Sequence, residues 1–408
     1  MPNFSLQLAE LERQNLTRRR RIVTSAQGKH LSVGGVRYLS FCSNDYLGLA
    51  NHPDLIAAMV QGALDYGVGA GASHLISGHM TPHDQLEAAL ADFVQLPRAL
   101  YFSTGYMANT GVIPALAGRG DAIFSDGLNH TCIVDGARLS RAEVNIYPHA
   151  DMTVLARLLE ASSATRKLIV SDAVFSMDGD IAPVAELVAL SEHHDALLLL
   201  DDAHGFGVLG ASGRGVLEHV GLQSANIVYM GTLGKAAGVS GAFVAGQPDV
   251  IEWLAQRART YVFTTASPPA LASATLASLQ RIAADAWRRD RLRQLAQRLQ
   301  SGLASLPWRL LASPTAIQPL IIGDNGAAMK VMHALQTRGI WAPAIRPPTV
   351  PAGTARLRLS LTAEHSLDDI DTLIAALHAV HGGNCLKTPV LLGSQPNAMV
   401  LPADSFGT

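Results

Sequence analysis

Apolar residues recur along this chain in two alternating rhythms. Short, largely apolar runs occur at residues 99–102, 121–125, 167–171, 197–200 and 227–230. Other segments carry apolar positions three and four apart, as in residues 51–66, with Pro53 in the first turn and Leu55, Met59 and Leu64 on one face, and from Pro183 to about His194. A run such as Leu197-Leu198-Leu199-Leu200 has no polar alternate, so it suits a strand covered on both faces. Strands of this kind alternating with helices predict an α/β fold with a doubly wound, mostly parallel sheet.

The ends of the chain follow other patterns. Residues 3–21 predict a helix through Phe4, Leu8 and Leu11, and residues 28–39 a hairpin with Gly34-Gly35 at its tip. Residues 270–306 have helical periodicity. Beyond them, strands are expected at 317–322, 341–345 and 356–361, and helices at 326–338 and 366–381, the last opened by Ser366 and Asp369 as a capping box. The division expected is an N-terminal segment (1–45), a large α/β domain (46–285), a smaller α+β domain (286–381) and a tail (382–408) that carries Pro389, Pro396 and Pro402 and lacks a helical period.

With 48% hydrophobic and 16% charged residues, 408 positions supply a sizeable core. A net charge of −2 argues against a nucleic-acid or membrane-surface role. No apolar run approaches the ~18 residues of a membrane span, and no apolar signal core opens the chain. The cysteines, Cys42, Cys132 and Cys385, have no metal-ligand spacing, so no metal site is expected and a reduced, cytoplasmic setting is.

Candidate chemistry gathers where the apolar runs stop, the end of a parallel sheet at which ligands bind. The leucine run ends in Asp201-Asp202-Ala203-His204. Lys235 follows the run 227–230 and is framed by Gly231, Gly234 and Gly238. An acid, a histidine and a glycine-framed lysine in this order suit pyridoxal phosphate, which needs a lysine for its Schiff base and an acid to keep its ring nitrogen protonated. The turn Ser103-Thr104-Gly105-Tyr106 opens a helix whose first N–H groups suit a phosphate. His130 can stack on a flat ring or serve as a loop histidine. Asn44 can bond a ligand carboxylate or shape a turn. The run Arg18-Arg19-Arg20-Arg21 is either a solvated face or an anion site.

The motifs Ser43-Asn44-Asp45-Tyr46-Leu47-Gly48, Phe175-Ser176-Met177-Asp178-Gly179-Asp180, Asp201-Asp202-Ala203-His204-Gly205 and Gly231-Thr232-Leu233-Gly234-Lys235 resemble those of the α-oxoamine synthase family of pyridoxal-phosphate enzymes. The likeness runs from about Arg18 to His381. It implies a fold-type I homodimer with active sites at the subunit interface. Lys235 would form the Schiff base, Asp201 would hold the ring nitrogen, His204 would bond the phenolic oxygen and His130 would stack over the ring. Ser176 and Thr232 would bind the cofactor, and the Gly105 and Tyr106 N–H groups its phosphate. Arg18, Asn44, His130 and Thr349 would meet substrate. Arg358 would hold the amino-acid carboxylate, with Arg356 on the same strand face as its rival.

The stretch Ile345-Arg346-Pro347-Pro348-Thr349-Val350-Pro351 resembles family members that join L-alanine to a pimeloyl thioester, carried by CoA or acyl-carrier protein, with loss of CO2 and thiol in biotin biosynthesis. The rivals are a sister synthase joining glycine to acetyl- or succinyl-CoA, a plain aminotransferase, and an inactive cofactor-binding regulatory protein. Asp172 departs from the family pattern, which usually has Glu there.

Overall fold

The computed structural model describes residues 4–13, 17 and 20–382. Its centre is a seven-stranded sheet, in the order Arg98–Phe102, Ala242–Gly246, Ile227–Thr232, Leu197–Asp201, Lys167–Asp172, Ala122–Asp126, Glu143–Tyr147. Ala242–Gly246 runs antiparallel to both neighbours, and the other adjacent pairs are parallel. The leucine run explains itself here. Leu198 and Leu200 enter the core on one face, while Leu199 joins the core on the other. Alternate side chains of a strand point to opposite faces, so a doubly covered strand needs apolar residues at every position.

Helices cover both faces. Pro53–Tyr66 packs on Pro269–Ala284 at Gly62, where a Cβ would lie 2.6 Å from the Ser273 Oγ. Leu55 on this helix is buried, but Met59 and Leu64 are exposed, so the expected apolar face is only partly used within one chain. Ala286–Leu303 follows after the single residue Asp285, which caps the preceding helix.

Two smaller sheets complete the fold. One is antiparallel, in the order Arg309–Leu310, Ile317–Gly323, Ala355–Ser360, Ala344–Ile345. The other joins the hairpin His30–Val33 and Val36–Ser40 to Ile340–Trp341. The single strand expected over 341–345 is therefore two strands in two sheets. Pro343 has no N–H to donate, so pairing stops there. The hairpin turns at Gly34 and Gly35, both with positive φ. Leu367–Gly382 opens as expected, with the Ser366 N–H donating to Asp369 and the Asp369 N–H to Ser366.

The N-terminal helix spans Phe4–Arg13 and stops short of residue 21. Arg18 and the tail from residue 383 lie outside the described residues.

Candidate active site

Four strands of the large sheet end together, beside the start of the reversed strand Ala242–Gly246. Asp172 is the Cα partner of Asp201, Asp201 of Met230, and Thr232 of Ala242, which also pairs with Phe102. The turns leaving these ends carry the expected residues into one cluster. The Lys235 Nζ lies 3.1 Å from His204 Nε2, and His204 Nδ1 lies 2.7 Å from the Tyr46 hydroxyl. Burial holds the Lys235 amine below its ordinary pKa, against the pull of Asp201 and Asp172. Burial also holds His204 well below its ordinary value, helped by the Lys235 and Arg358 charges.

Asp201 is buried and its two oxygens are separately tied. Asn109 Nδ2 donates to Oδ2 at 2.6 Å and the Ala203 N–H to Oδ1 at 3.0 Å. Asn109 had no signal in the sequence beyond its place on the helix after the Gly105 turn. Its own Oδ1 is buried without a partner among the described residues. Asp202, beside Asp201, faces away from the cluster and accepts from the Val216 N–H at 2.6 Å and the Tyr229 hydroxyl at 2.8 Å.

His130 stands at the N-cap of Thr131–Ser140. The Cys132 N–H donates to its Nδ1 at 3.2 Å, and the Cys132 Sγ lies 2.8 Å from the same atom. A backbone N–H can only donate, so Nδ1 is an acceptor and the neutral ring carries its proton on Nε2. Burial lowers the His130 pKa, which favours that neutral ring. Burial and the Asp201 charge push the Cys132 thiol up to about 12, so it stays protonated. Asp172 accepts the His130 N–H at 2.6 Å. The shorter acid therefore positions His130 by its backbone. Burial and neighbouring Asp201 push the Asp172 carboxyl well above the usual carboxylate range.

Arg358 is buried against the same cluster. It donates to the Ser176 carbonyl at 2.5 Å, the Ser360 hydroxyl at 2.7 Å, and Asn44 Oδ1 and the Tyr46 hydroxyl, each at 3.2 Å. It forms no salt bridge among the described residues. Arg356, by contrast, is paired with Asp178 at 2.5 Å. Asn44 thus supports Arg358, and Ser176 enters the cluster through its carbonyl.

Gly105 opens the helix Gly105–Leu116, capped by Thr104, whose Oγ1 accepts the Met107 N–H at 3.1 Å. The first-turn N–H groups of Gly105 and Tyr106 remain free of helical partners. A Cβ on Gly105 would lie 3.8 Å from the Thr232 Oγ1, so the helix end and Thr232 adjoin. The Thr232 hydroxyl donates to the Gly241 carbonyl at 3.1 Å. The Tyr106 ring is directed elsewhere, its hydroxyl 2.6 Å from Asp135. Thr349 is exposed in the turn after Arg346 and makes no hydrogen bond to the cluster.

These groups fit pyridoxal phosphate. There is a partly desolvated lysine amine, a buried carboxylate beside an unpartnered amide oxygen, a neutral imidazole and a helix N-terminus for the phosphate.

Comparison with known proteins agrees. The model of the class I and II aminotransferase family matches residues 36–377. The chain is 59% identical to 8-amino-7-oxononanoate synthase 1 of Polaromonas sp., over 92% of this chain and 95% of that protein. It is 60% identical to 8-amino-7-oxononanoate synthase of Herminiimonas arsenicoxydans, over 92% and 98%. Serine palmitoyltransferase of Sphingomonas wittichii matches with a TM-score of 0.87 and 32% identity, over 93% of this chain and 96% of that one. A structure of SPT solved with pyridoxal phosphate matches with a TM-score of 0.88 and 32% identity, over 93% and 96%. The chain belongs to the class I and II aminotransferase family and, within it, to the 8-amino-7-oxononanoate synthases, pyridoxal-phosphate-dependent acyltransferases of fold type I.

Proposed function

We propose that the enzyme condenses L-alanine with a pimeloyl thioester, releasing CO2 and free thiol and forming 8-amino-7-oxononanoate for biotin synthesis. The observation that carries this reading is Arg358, a buried guanidinium beside the Lys235 amine with no carboxylate partner among the described residues. An amino-acid carboxylate supplies the missing charge. The names of the relatives support 8-amino-7-oxononanoate as the product.

Lys235, Asp201, His204, His130, Ser176, Thr232 and the Gly105 and Tyr106 N–H groups would hold the cofactor. When bound, it supplies an electron-withdrawing ring that stabilises negative charge on the amino acid's α-carbon. Lys235 removes the α-proton, which its depressed pKa favours because the attacking amine must be unprotonated. Asp201, fixed by Asn109 and Ala203, keeps a proton on the ring nitrogen. Arg358 holds the alanine carboxylate, itself braced by Asn44 and Tyr46. His130 presents its Nε2–H to the acyl carbonyl oxygen, where negative charge develops. Arg18 and Thr349 belong to the acyl side of the same proposal, together with the arginine run as a partner for the distal carboxylate or the carrier's phosphates.

Two further parts complete the proposal. The protein acts as a homodimer, supported by apolar side chains exposed at Leu64, Val68 and Ile76 on and after the Pro53–Tyr66 helix. It works in the cytoplasm, where Cys42 and Cys132 stay as free thiols. No helix among the described residues is long and apolar enough to cross a membrane.

The test is thiol and CO2 release with alanine plus pimeloyl thioester, on CoA or on carrier protein, against glycine plus acetyl-CoA. One methyl group in an apolar pocket is worth ~1–3 kcal/mol, so glycine should be a slow substrate. The acyl side should discriminate more. Equal kcat/KM for pimeloyl, glutaryl and acetyl thioesters would leave a broader acyl-transferring member of the family instead.

A further inference from the structure

Three histidines converge on the far side of the phosphate turn. His74 opens the π-helical turn His74–Gly78, His79 follows it, and His83 lies in the first turn of Thr81–Val94. One ring nitrogen from each lies within 4.8 Å of the others, and the Nδ1 atoms of His74 and His79 are 2.9 Å apart. We propose that His74, His79 and His83 form a binding site for one divalent d-block cation of the Zn2+ type. The proposal is independent of the substrates argued above.

Zinc with four ligands at 2.0–2.1 Å spaces them roughly 3.3 Å apart. The His74–His79 pair is near that spacing already, and the widest pair must close by about 1.5 Å, within reach of side-chain rotation. The donor set is three neutral imidazoles without a carboxylate. That suits a borderline-soft cation and not Ca2+ or Mg2+, which take oxygen ligands.

A partner that orients His83 is already in place. The His83 Nε2 lies 2.9 Å from the Ser267 carbonyl. A carbonyl can only accept, so Nε2 carries the proton and Nδ1 is the lone-pair atom. This is the arrangement that orients a metal-bound histidine. The His83 Nδ1 now takes the Met80 N–H at 3.0 Å, a contact that a cation would replace. The His74 ring lies flat on Tyr261, with centroids 4.7 Å apart and planes at 9°. A π-turn places residues five apart on one side and is common at functional sites.

The rings are also poised in the right protonation state. Burial lowers all three, and holds His74 to about 3 with help from the neighbouring His83 and His79. Asp84 is the acid that opposes this at His79. Neutral imidazole is the ligating form.

The site's place in the fold gives it a role. Ser267, which holds His83, donates its hydroxyl to Ser103 at 3.0 Å, and Ser103 begins the turn into the Gly105 helix. A cation at the histidines would stiffen the backing of the phosphate cradle.

Tag-free, full-length holoenzyme, treated with EDTA and dialysed, is titrated with Zn2+ by calorimetry and with Co2+ by visible absorption. One cation per chain and the bands of tetrahedral Co2+ are expected. His79→Phe, and separately His74→Phe, should weaken Zn2+ at least about 10-fold, with cofactor absorbance and circular dichroism unchanged. X-ray absorption on the wild-type Zn2+ complex should show three imidazole nitrogens, a readout that stands even if a variant fails to fold. No binding by wild type, unchanged affinity in both variants, or fewer than two imidazoles around zinc would each overturn the proposal.

Discussion

Arg356 and Arg358 differ by two positions on one strand and by almost everything that surrounds them. Arg356 is neutralised by Asp178, whereas among the described residues Arg358 meets neutral oxygens of Asn44, Tyr46, Ser176 and Ser360. Removing each should therefore act on different observables. Hydrogen bonds to charged groups contribute about 1.5–3 kcal/mol, so Arg358→Met should raise the KM for the amino acid by roughly 10- to 150-fold. Arg356→Met should leave that KM nearly unchanged and lower unfolding stability by about 1–3 kcal/mol. Steady-state kinetics and urea denaturation of both variants measure this, and the reverse pattern would exchange their roles. The acids Asp201 and Asp202 are divided in the same way. One serves the Lys235 cluster, and the other ties the turn beyond it to Val216 and Tyr229. Neighbours on a chain that has just left a strand face opposite ways, and sequence adjacency hides it.

At the scale of elements, His149 joins a strand end to a turn. Its Nδ1 lies 3.1 Å from Asp126 Oδ1 and its Nε2 2.8 Å from Asp180 Oδ2, which clamps the Ser176–Asp180 turn to the Ala122–Asp126 strand. Hydrogen bonds to Asp126 and then Asp180 raise the His149 pKa to about 10. The folded value lies above the unfolded one of about 6.5, so the protonated ring favours the fold. Its contribution is complete below pH 6.5 and is lost as the pH rises through about 10. His149→Gln should therefore be less stable than wild type at pH 6 and nearly equal to it well above pH 10. A stability gap that does not depend on pH would remove the clamp from the account. The central strands and several helix starts were legible because a doubly buried strand and a capping box leave local marks. The reversed strand Ala242–Gly246 was not, since an apolar run of that length reads the same in either direction. Nor was Asn109, which acquires its role only when a helix four strands away in sequence folds back onto Asp201. Its neighbours Ala108 and Thr110 give no hint of that contact.

For the whole molecule, surface left open by one chain is the informative quantity. Leu64, Val68 and Ile76 are at least three-quarters exposed. A second copy covering this surface is part of the function proposed above. Ile76→Asp places a charge in the patch, and sedimentation velocity should show the mutant dissociating at micromolar concentrations where wild type does not. Identical sedimentation of the two proteins would move the interface elsewhere. Ile76 lies between His74 and His79 in the chain, so self-association and cation binding should be measured on the same samples.

The hairpin near the start of the chain has a consequence for synthesis. Leu39 is the pairing partner of Ile340, so the third strand of that sheet is made 301 residues after the second. The Lys29 N–H and ammonium likewise wait for Glu364 and Asp369. At about 5–20 residues per second on the ribosome, roughly 15–60 s pass before the partner strand emerges. For that interval the Val36–Ser40 strand presents an unpaired edge to the surrounding medium. A nascent chain arrested before residue 340 should therefore be held by chaperones at its first forty residues, and released once the C-terminal strands are out of the exit tunnel.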